Sequence, residues 1–269
     1  MPEPITAVGL GAIAAYLGKD GLEKLLGPTA DYLGGGLKDF TEKRMHNIGQ
    51  IFKRADEKIG EKREKPGIIP PKVLKTIMND GSFNDDLLSV EYFGGVLASS
   101  RTERGRDDRG ARMAKLVENL STYQLRTHYL IYATIKDLFR NQGYHFNMDD
   151  RPKMEIFFPF QTYVQAMEFT PEEISNNDAF LRHTFFGLYN DGLIEGEFIY
   201  GPLEHMKGRV PTANDGGVVC QPSALGAELF LWAMGYGDHK LSYIFDDACR
   251  PTVEGIPSVV ADTIAVKSP

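Results

Sequence analysis

Residues 84–112, NDDLLSVEYFGGVLASSRTERGRDDRGAR, form the segment around which the chain is arranged. The first half predicts a buried helix, because its apolar side chains cover too wide an arc for a helix with one face in water. Ser82 or Asn84 can cap the start of that helix. Gly94 and Gly95 each weaken a helix by about 1 kcal/mol relative to alanine, so we expect another backbone to pass very close to them. The apolar residues are Leu87, Leu88, Val90, Tyr92, Phe93, Val96 and Leu97.

The second half of the segment is a charged loop between positions 101 and 112. A loop with five arginines and three acidic residues cannot lie in a core, since charges are costly to bury. We expect it to form salt bridges within the chain or with a partner, and any nucleic-acid contact would occur there. Its arginines are Arg101, Arg104, Arg106, Arg109 and Arg112, and its acidic residues are Glu103, Asp107 and Asp108.

The composition is that of an ordinary globular protein. The chain has 269 residues, of which 42% are hydrophobic and 25% are charged, so it can build two small cores. The net charge is −7, so the molecule as a whole is repelled by nucleic-acid backbones and anionic lipid. Cys220 and Cys249 are too few for a disulfide scaffold or a zinc site, and they predict buried, reduced thiols in a cytoplasmic protein.

The N-terminal segment is apolar and rich in glycine. Residues 5–17 carry no charge, but a helix that spans a membrane needs about 20 apolar residues, so this segment does not span alone. Glycine weakens helices, and we expect residues 1–36 to open at lower free energy than the rest of the fold. On activation they would contact a membrane surface or a partner; the alternative is a permanently docked packing helix. The candidate membrane contacts are Ile5, Val8, Leu10, Ile13 and Leu17.

A long amphipathic helix is predicted next, from residue 33 to about residue 60, because apolar residues recur there at intervals of three and four. At roughly 1.5 Å per residue its apolar stripe is about 40 Å long, more than one small domain covers easily. We therefore predict a homo-oligomer or a partner complex. The side chains expected between chains are Leu37, Phe40, Ile48 and Phe52.

Two further signals define helices before residue 143. The prolines of residues 65–71 break the chain, and a new helix begins at Pro71. Ser121 and Gln124 form a capping box that opens a helix to about residue 140. The sequence thus predicts a glycine-rich segment with a long amphipathic helix over 1–66, and a helical core region over 67–143.

The character changes after residue 143. A strand is predicted over 153–160, and the sequence TPEE that begins at Thr170 is a specific helix start. The predicted elements that follow are a second helix over 178–190, two strands over 195–200 and 217–221, and a last helix over 224–234. This order is close to that of a winged helix. The predicted fold is therefore mostly α, with a winged-helix-like α+β module and a small β-hairpin over 144–247. The tail, 248–269, is expected to lie over the surface or to be disordered.

The predicted winged helix is poorly equipped to bind DNA. Residues 171–200 contain six acidic residues and one basic residue, Arg182. Neutralising phosphate groups supplies most nucleic-acid affinity, so a structural or protein-binding role is favoured over DNA binding.

No catalytic or metal-binding signature occurs in the sequence. The six histidines stand singly, without the helical spacing of a metal site. The adjacent carboxylate pairs, such as Asp85 and Asp86, point apart on a helix, and Gly34 to Gly36 lack the lysine of a phosphate-binding loop. We predict no catalytic residue, no metal and no cofactor, although a site assembled from distant segments stays open as an alternative.

Four segments carry a family resemblance. They are the glycine-rich N-terminal helix with its amphipathic successor; IIPPKVLKTI followed by DDLLSVEYFGGVLASS; LSTYQLRTHYLIYATI; and FGLYNDGLI with QPSALGAELFLWAMG. In this order they resemble the abortive infection alpha (Abi-alpha) family, a group associated with bacterial defence against phage. Where that family carries a Thr-Pro-x-Gly motif before the last helix, this chain has QPSALG, residues 221–226.

The resemblance implies a non-enzymatic effector of phage defence, without catalytic residues or a cofactor. Such a protein would act by binding a protein partner, by self-assembly or by conditional membrane contact. It would be cytoplasmic, with membrane association only when active. Two alternatives stay open: an enzyme whose site is assembled from distant segments, and a nucleic-acid-binding winged-helix regulator.

Overall fold

The computed structural model describes residues 11–13, 15–17, 35–60 and 67–266, and the contacts divide the chain into two units. Unit 1 comprises Met1–Asn119 together with Trp232–Asp238, and unit 2 comprises Leu120–Leu231 together with His239–Pro269. The division falls at Asn119, so the predicted region 1–66 and the first part of the predicted region 67–143 share one unit.

Unit 1 is helical. Residues 11–13 and 15–17 are helical, and a 3-10 turn, Gly81–Phe83, precedes the third of the longer helices. The longer helices are α1 (Gly35–Ile59), α2 (Pro71–Asp80), α3 (Leu87–Ser99) and α4 (Arg109–Asn119). The predicted long helix and the predicted start at Pro71 are therefore confirmed.

Helix α3 is buried along its length except at Leu87, as its wide apolar arc predicts. Its cap differs from the sequence prediction. Asp86 caps the helix, because its backbone is extended and its carboxylate accepts a hydrogen bond from the Ser89 N–H at 2.8 Å. Ser82 lies in the preceding 3-10 turn, and Asn84 donates instead to the Asp80 carbonyl oxygen.

The two glycines of α3 lie where other backbones pass, which confirms the close approach that the sequence predicts. A Cβ atom at Gly94 would lie 2.6 Å from Cβ of Arg54 and 3.1 Å from the carbonyl oxygen of Ile51, both in α1. A Cβ atom at Gly95 would lie 1.6 Å from the carbonyl oxygen of Ala233. Glycine is therefore required at both positions by the packing of α3.

Helices α1 and α3 are also joined by a buried carboxylate. Glu91 in α3 is 5% exposed. Its oxygens lie 2.7 Å from Nε of Arg54 and 2.9 Å from Nζ of Lys58, both in α1. Two cations thus compensate one buried charge, which would be strongly destabilising without them.

Unit 2 contains one long helix, several short helices and a sheet. Its elements are α5 (Thr122–Phe139), β1 (Ile156–Pro159), α6 (Phe160–Met167), α7 (Pro171–Ser175), α8 (Asn177–Asn190), β2 (Ile194–Gly201), α9 (Leu203–Met206), β3 (Gly217–Pro222), α10 (Ala224–Ala233), whose end belongs to unit 1, and β4 (Ile264–Ala265). The capping boxes of Ser121 with Gln124 and of Thr170 with Glu173 are both present, as predicted.

The sheet is antiparallel, with strand order β2-β3-β1-β4. The predicted hairpin is present as β2 and β3, and the predicted strand before it is β1. The sheet is larger than a hairpin, because β1 pairs with β3 and β4 pairs with β1. The chain is thus mostly helical, with one small antiparallel sheet.

The tail and the connection between β2 and β3 are packed parts of unit 2. Phe157 in β1 and Val219 in β3 form a buried cluster with Met206, Val210 and Ala213 of the connection. In the tail, the side chains of Val253 and Val260 are buried, and β4 extends the sheet. The expectation of a surface or disordered tail is therefore wrong for residues 248–266, because their small apolar side chains contribute to the core.

Candidate functional site

Helix α8 presents two faces of different character. It begins after α7, which the capping box of Thr170 and Glu173 fixes in place. One face buries Leu181, Thr184, Phe185 and Leu188. The opposite face carries large aromatic side chains in water, Phe186 at 46% exposure and Tyr189 at 45%.

The half-buried ring of Phe198, in β2, packs against both of these side chains. Its centroid lies 4.9 Å from that of Phe186 and 5.5 Å from that of Tyr189. These three residues are the aromatic patch. Exposed apolar clusters of this kind mark interaction sites more often than isolated exposed residues do.

A bulge in β2 lies next to the aromatic patch. The register shifts between Glu195 and Ile199, and Gly196 has a positive φ of 69°. Glu195 is held by the guanidinium Nε of Arg151 at 2.6 Å and by the side-chain amide of Gln221 at 3.1 Å. Bulges re-aim the side chains that follow them, and here the strand after the bulge turns Phe198 toward α8.

A pocket of about 440 Å³ shares α8 and β2 with the aromatic patch. Its walls include the rings of Phe160 and Tyr200 and the carboxylates of Asp178 and Asp215, and we call it the acidic pocket. The Tyr200 hydroxyl donates to Asp178 Oδ1 at 3.4 Å. Burial raises the pKa of the Tyr200 phenol, and the nearby Asp178 carboxylate raises this pKa further.

The two carboxylates of the acidic pocket have different partners. Both oxygens of Asp215 accept backbone hydrogen bonds, from the N–H of Gln161 at 3.1 Å and from the N–H of Gly216 at 2.7 Å. Asp178 faces the guanidinium of Arg182 at 3.7 Å, and both of these side chains are largely exposed. The carboxylate of Asp215 therefore stabilises local backbone structure, while that of Asp178 is held only by weak contacts.

Unit 2 brings one serine and one histidine together. The Ser121 hydroxyl lies 2.9 Å from Nε2 of His183, 62 residues away in sequence. The same hydroxyl accepts a hydrogen bond from the Gln124 N–H at 3.3 Å, and the Gln124 side chain accepts from the Ser121 N–H at 2.8 Å. Ser121 thus caps α5, and this use of its oxygen competes with a role as nucleophile.

The predicted oligomer contacts divide into two pairs. Ile48 is 3% exposed and Phe52 is 0% exposed, and α1 packs against α3 there. These two side chains belong to the core of the single chain, so they are not available to another chain, because intramolecular packing already covers this part of the stripe. The side chains of Leu37 and Phe40 lie outside the described residues.

The predicted charged loop is tied down at its ends. Hydrogen bonds from the Arg109 guanidinium hold the pKa of the Asp107 carboxyl below its usual value, and the guanidinium also lies 5.4 Å from the ring of Trp232. Arg101 is half-buried, with its side chain against Gly67. The exposed arginines are Arg104, Arg106, Arg109 and Arg112. Arg109 and Arg112 lie in α4 and not in the loop.

The described part of the N-terminal segment is docked within unit 1. Ile13 is fully buried, and Leu17 is half-buried. The ring of Tyr16 packs edge-on against Phe52 at 5.5 Å, and its hydroxyl donates to the Leu97 carbonyl oxygen at 3.4 Å. The other candidate membrane contacts, Ile5, Val8 and Leu10, lie outside the described residues. Within the described ranges, no helix combines the length and apolar character that crossing a membrane requires.

The buried titratable groups have structural surroundings. Both cysteines are free and buried, as predicted; burial raises the pKa of Cys249 to about 11 and raises that of Cys220 as well. Burial lowers the pKa of His128 to about 3, so this imidazole is neutral in the folded chain. In the part of the chain that the structure describes, no group of three or more His, Cys, Asp or Glu side chains is arranged around a metal position.

The sequence contains a signal for the aromatic patch that the prediction did not use. Helix α8 carries more large aromatic side chains than one buried face accommodates, and Phe186 directly follows the buried Phe185. Adjacent residues on a helix point in different directions, so one of the two had to face away from the core. No family model, curated protein or solved structure matches this chain.

Proposed function

We propose that this protein is a non-enzymatic effector of bacterial defence against phage, as its resemblance to the abortive infection alpha family implies, and that it acts in the cytoplasm by binding a protein partner. The observation that carries the partner-binding role is the aromatic patch. Large aromatic side chains are enriched at the centres of protein interfaces. Folding of unit 2 leaves Phe186 and Tyr189 nearly half exposed, at 46% and 45%, and a partner would cover them.

In this proposal unit 2 is organised like a winged helix. Support comes from the chain order, in which α5 and β1 precede the short helices α6 and α7, and the hairpin of β2 and β3 follows α8. In such an order α8 takes the position of the helix that enters the DNA major groove. The exposed face of α8 carries Asp178 and the aromatic patch, a surface suited to protein and not to phosphate groups.

The test is infection of cells that carry the intact gene, a deletion or a surface variant, scored by plaque formation and by survival of infected cells. We expect the intact gene to reduce plaquing by at least some phages, and the double variant Phe186→Ser and Tyr189→Ser to lose this protection at unchanged thermal stability. The matched control is Met148→Ser, because Met148 is 81% exposed in the same unit but lies outside the patch. Equal plaquing of intact and deleted strains over a broad phage panel would remove the proposal.

Self-assembly and conditional membrane contact are the other routes that the resemblance implies. Membrane contact through Ile13 requires the N-terminal segment to leave unit 1, since that side chain is buried. Self-assembly through Leu37 and Phe40 requires no such opening. Hydrogen exchange tests the first route: strong protection of residues 11–17 together with the absence of binding to anionic liposomes would exclude it.

A second candidate function is hydrolysis with Ser121 as nucleophile, which the 2.9 Å contact with His183 favours. A fluorophosphonate probe tests it, because such probes label activated serines. Labelling that is lost in both Ser121→Ala and His183→Ala would support a hydrolase. Ser121→Ala would also lower the free energy of unfolding by about 1 kcal/mol through loss of the cap, so stability must be measured alongside.

The third candidate, a DNA-binding regulator, is disfavoured by charge. Arg182 is the basic residue among residues 171–200, and the net charge of the chain is −7. Retention on duplex DNA at physiological salt that depended on Arg182 would contradict the proposal. Retention that depended instead on Arg104 and Arg106 would point to the charged loop, and the salt dependence of binding would then weaken by about 0.9 in slope for each phosphate group that a variant no longer neutralises.

A further inference from the structure

The acidic pocket and the aromatic patch lie along one face of α8 and one strand. Asp178, Arg182, Phe186 and Tyr189 recur at intervals of four, four and three residues, so they share a helix face. In β2, Phe198 contacts the Phe186 end of this face, and Tyr200 contacts the Asp178 end. The two features therefore belong to one continuous surface, apolar at one end and acidic at the other.

The chemistry of the acidic pocket selects a flat cation. Two carboxylates, Asp178 and Asp215, and two aromatic rings, Phe160 and Tyr200, line its volume of about 440 Å³. Each Asp215 oxygen accepts one backbone hydrogen bond, and a carboxylate offers about four acceptor positions in all, so capacity for a further donor remains. A guanidinium group stacks on aromatic rings and binds carboxylates through several N–H groups, which a lysine ammonium does less well.

We propose that the acidic pocket binds the guanidinium group of an arginine side chain presented by the protein partner. This inference rests on the proposed partner-binding function and specifies the chemistry of that partner. Asp178 and Phe186 lie eight positions apart in α8, a separation of about 12 Å. An extended segment rises about 3.3 Å per residue, so the partner carries its arginine about four residues from the apolar side chain that covers the aromatic patch.

Arg182 defines how the incoming group binds. Its guanidinium lies 3.7 Å from Asp178 in an exposed ion pair, and such pairs contribute little to stability. The partner's arginine displaces Arg182 from Asp178. Replacing Arg182 therefore strengthens binding, whereas replacing Asp178 weakens it.

The test is an NMR titration of the full chain with N-acetylarginine amide, with N-acetylcitrulline amide as the uncharged probe of the same size. We expect the arginine probe to shift the signals of Tyr200 and Gly216 saturably, and the citrulline probe to bind at least about fivefold more weakly. Asp178→Asn should weaken binding of the arginine probe by about threefold, and Arg182→Gln should strengthen it by about twofold. Asp191→Asn, at the other end of α8, is the matched control and should leave binding unchanged.

Equal binding of the two probes, signal shifts that map outside the pocket, or no effect of Asp178→Asn would each overturn the inference. Asp178 is chosen over Asp215 because the Asp215 carboxylate also holds two backbone N–H groups, so its replacement would disturb folding. The two proposals fail separately. If the arginine probe does not bind but the aromatic variants lose phage protection, the partner lacks this arginine; if the probe binds but the aromatic variants still protect, the proposed partner surface is wrong.

Discussion

The missing side chain at Gly95 allows α3 to pack directly against the carbonyl oxygen of Ala233. A Cβ atom at Gly95 would lie 1.6 Å from that oxygen, a backbone atom that cannot rotate away. We predict that Gly95→Ala lowers the free energy of unfolding by about 2 to 3 kcal/mol, although alanine favours helix. Urea denaturation measures the change. The control is Gly208→Ala, whose new Cβ would lie an ordinary 3.7 Å from the His205 carbonyl oxygen; equal stability of the two variants would contradict the packing described.

The imidazole of His128 makes the stability of unit 2 depend on pH. Burial lowers its pKa from 6.5 to about 3. The unfolded chain therefore binds a proton below about pH 6.5 that the folded chain excludes, so the free energy of unfolding falls with decreasing pH, by up to about 1.4 kcal/mol per unit. We predict a smaller loss between pH 7 and pH 4 for His128→Gln, whose amide can still donate to the Gly226 carbonyl oxygen, now 3.1 Å from Nε2 of His128. Denaturation at each pH tests this, and parallel curves for the two proteins would rule it out.

Helix α1 combines a core half with a half whose role stays a prediction. Phe52 is 0% exposed and packs against Tyr16, so Phe52→Ala should cost about 3 to 5 kcal/mol in the single chain. If Leu37 and Phe40 contact a second chain, Leu37→Asp and Phe40→Asp should instead dissociate the oligomer and leave the stability of the monomer unchanged. Light scattering over a range of concentrations, paired with denaturation, separates the two effects. A concentration-independent monomer in the parent protein would refute the oligomer prediction.

Unit 1 as a whole depends on a segment that arrives late in the chain. Trp232 is 1% exposed, its carbonyl oxygen accepts a hydrogen bond from the Ser99 hydroxyl at 3.0 Å, and the Gly237 N–H donates to that hydroxyl at 3.0 Å. We predict that a fragment of residues 1–119 loses cooperative unfolding, because the surface around Ser99 is then left without cover. Joining residues 232–238 to it through a flexible glycine-serine linker should restore cooperativity.

The rescue has an internal reporter, since Trp232 is the only tryptophan in the chain. Its emission should move to shorter wavelength when the linked segment docks. A linked segment with the same seven residues in scrambled order is the control. Cooperative unfolding of residues 1–119 alone, or equal rescue by the scrambled segment, would show that unit 1 does not need Trp232–Asp238.

Several elements could be read from the sequence because their signals act over a few residues. Ser121 with Gln124, and Thr170 with Glu173, satisfy the first N–H groups of their helices within three positions. The glycines of α3 announced a close backbone, because such a costly pair in a buried helix has few other causes. Helix type and start, and the class of the fold, are thus properties of local chemistry.

The partners of these elements were decided by contacts between residues far apart in the chain. The glycines did not reveal that α1 crosses Gly94 and the segment from Trp232 crosses Gly95, and the weakly patterned tail did not reveal β4. Nor could periodicity tell which apolar side chains stay in water: Phe52 is covered, while Phe186 is not. Burial depends on what the rest of the chain places against a surface, and no local pattern of residues carries that information.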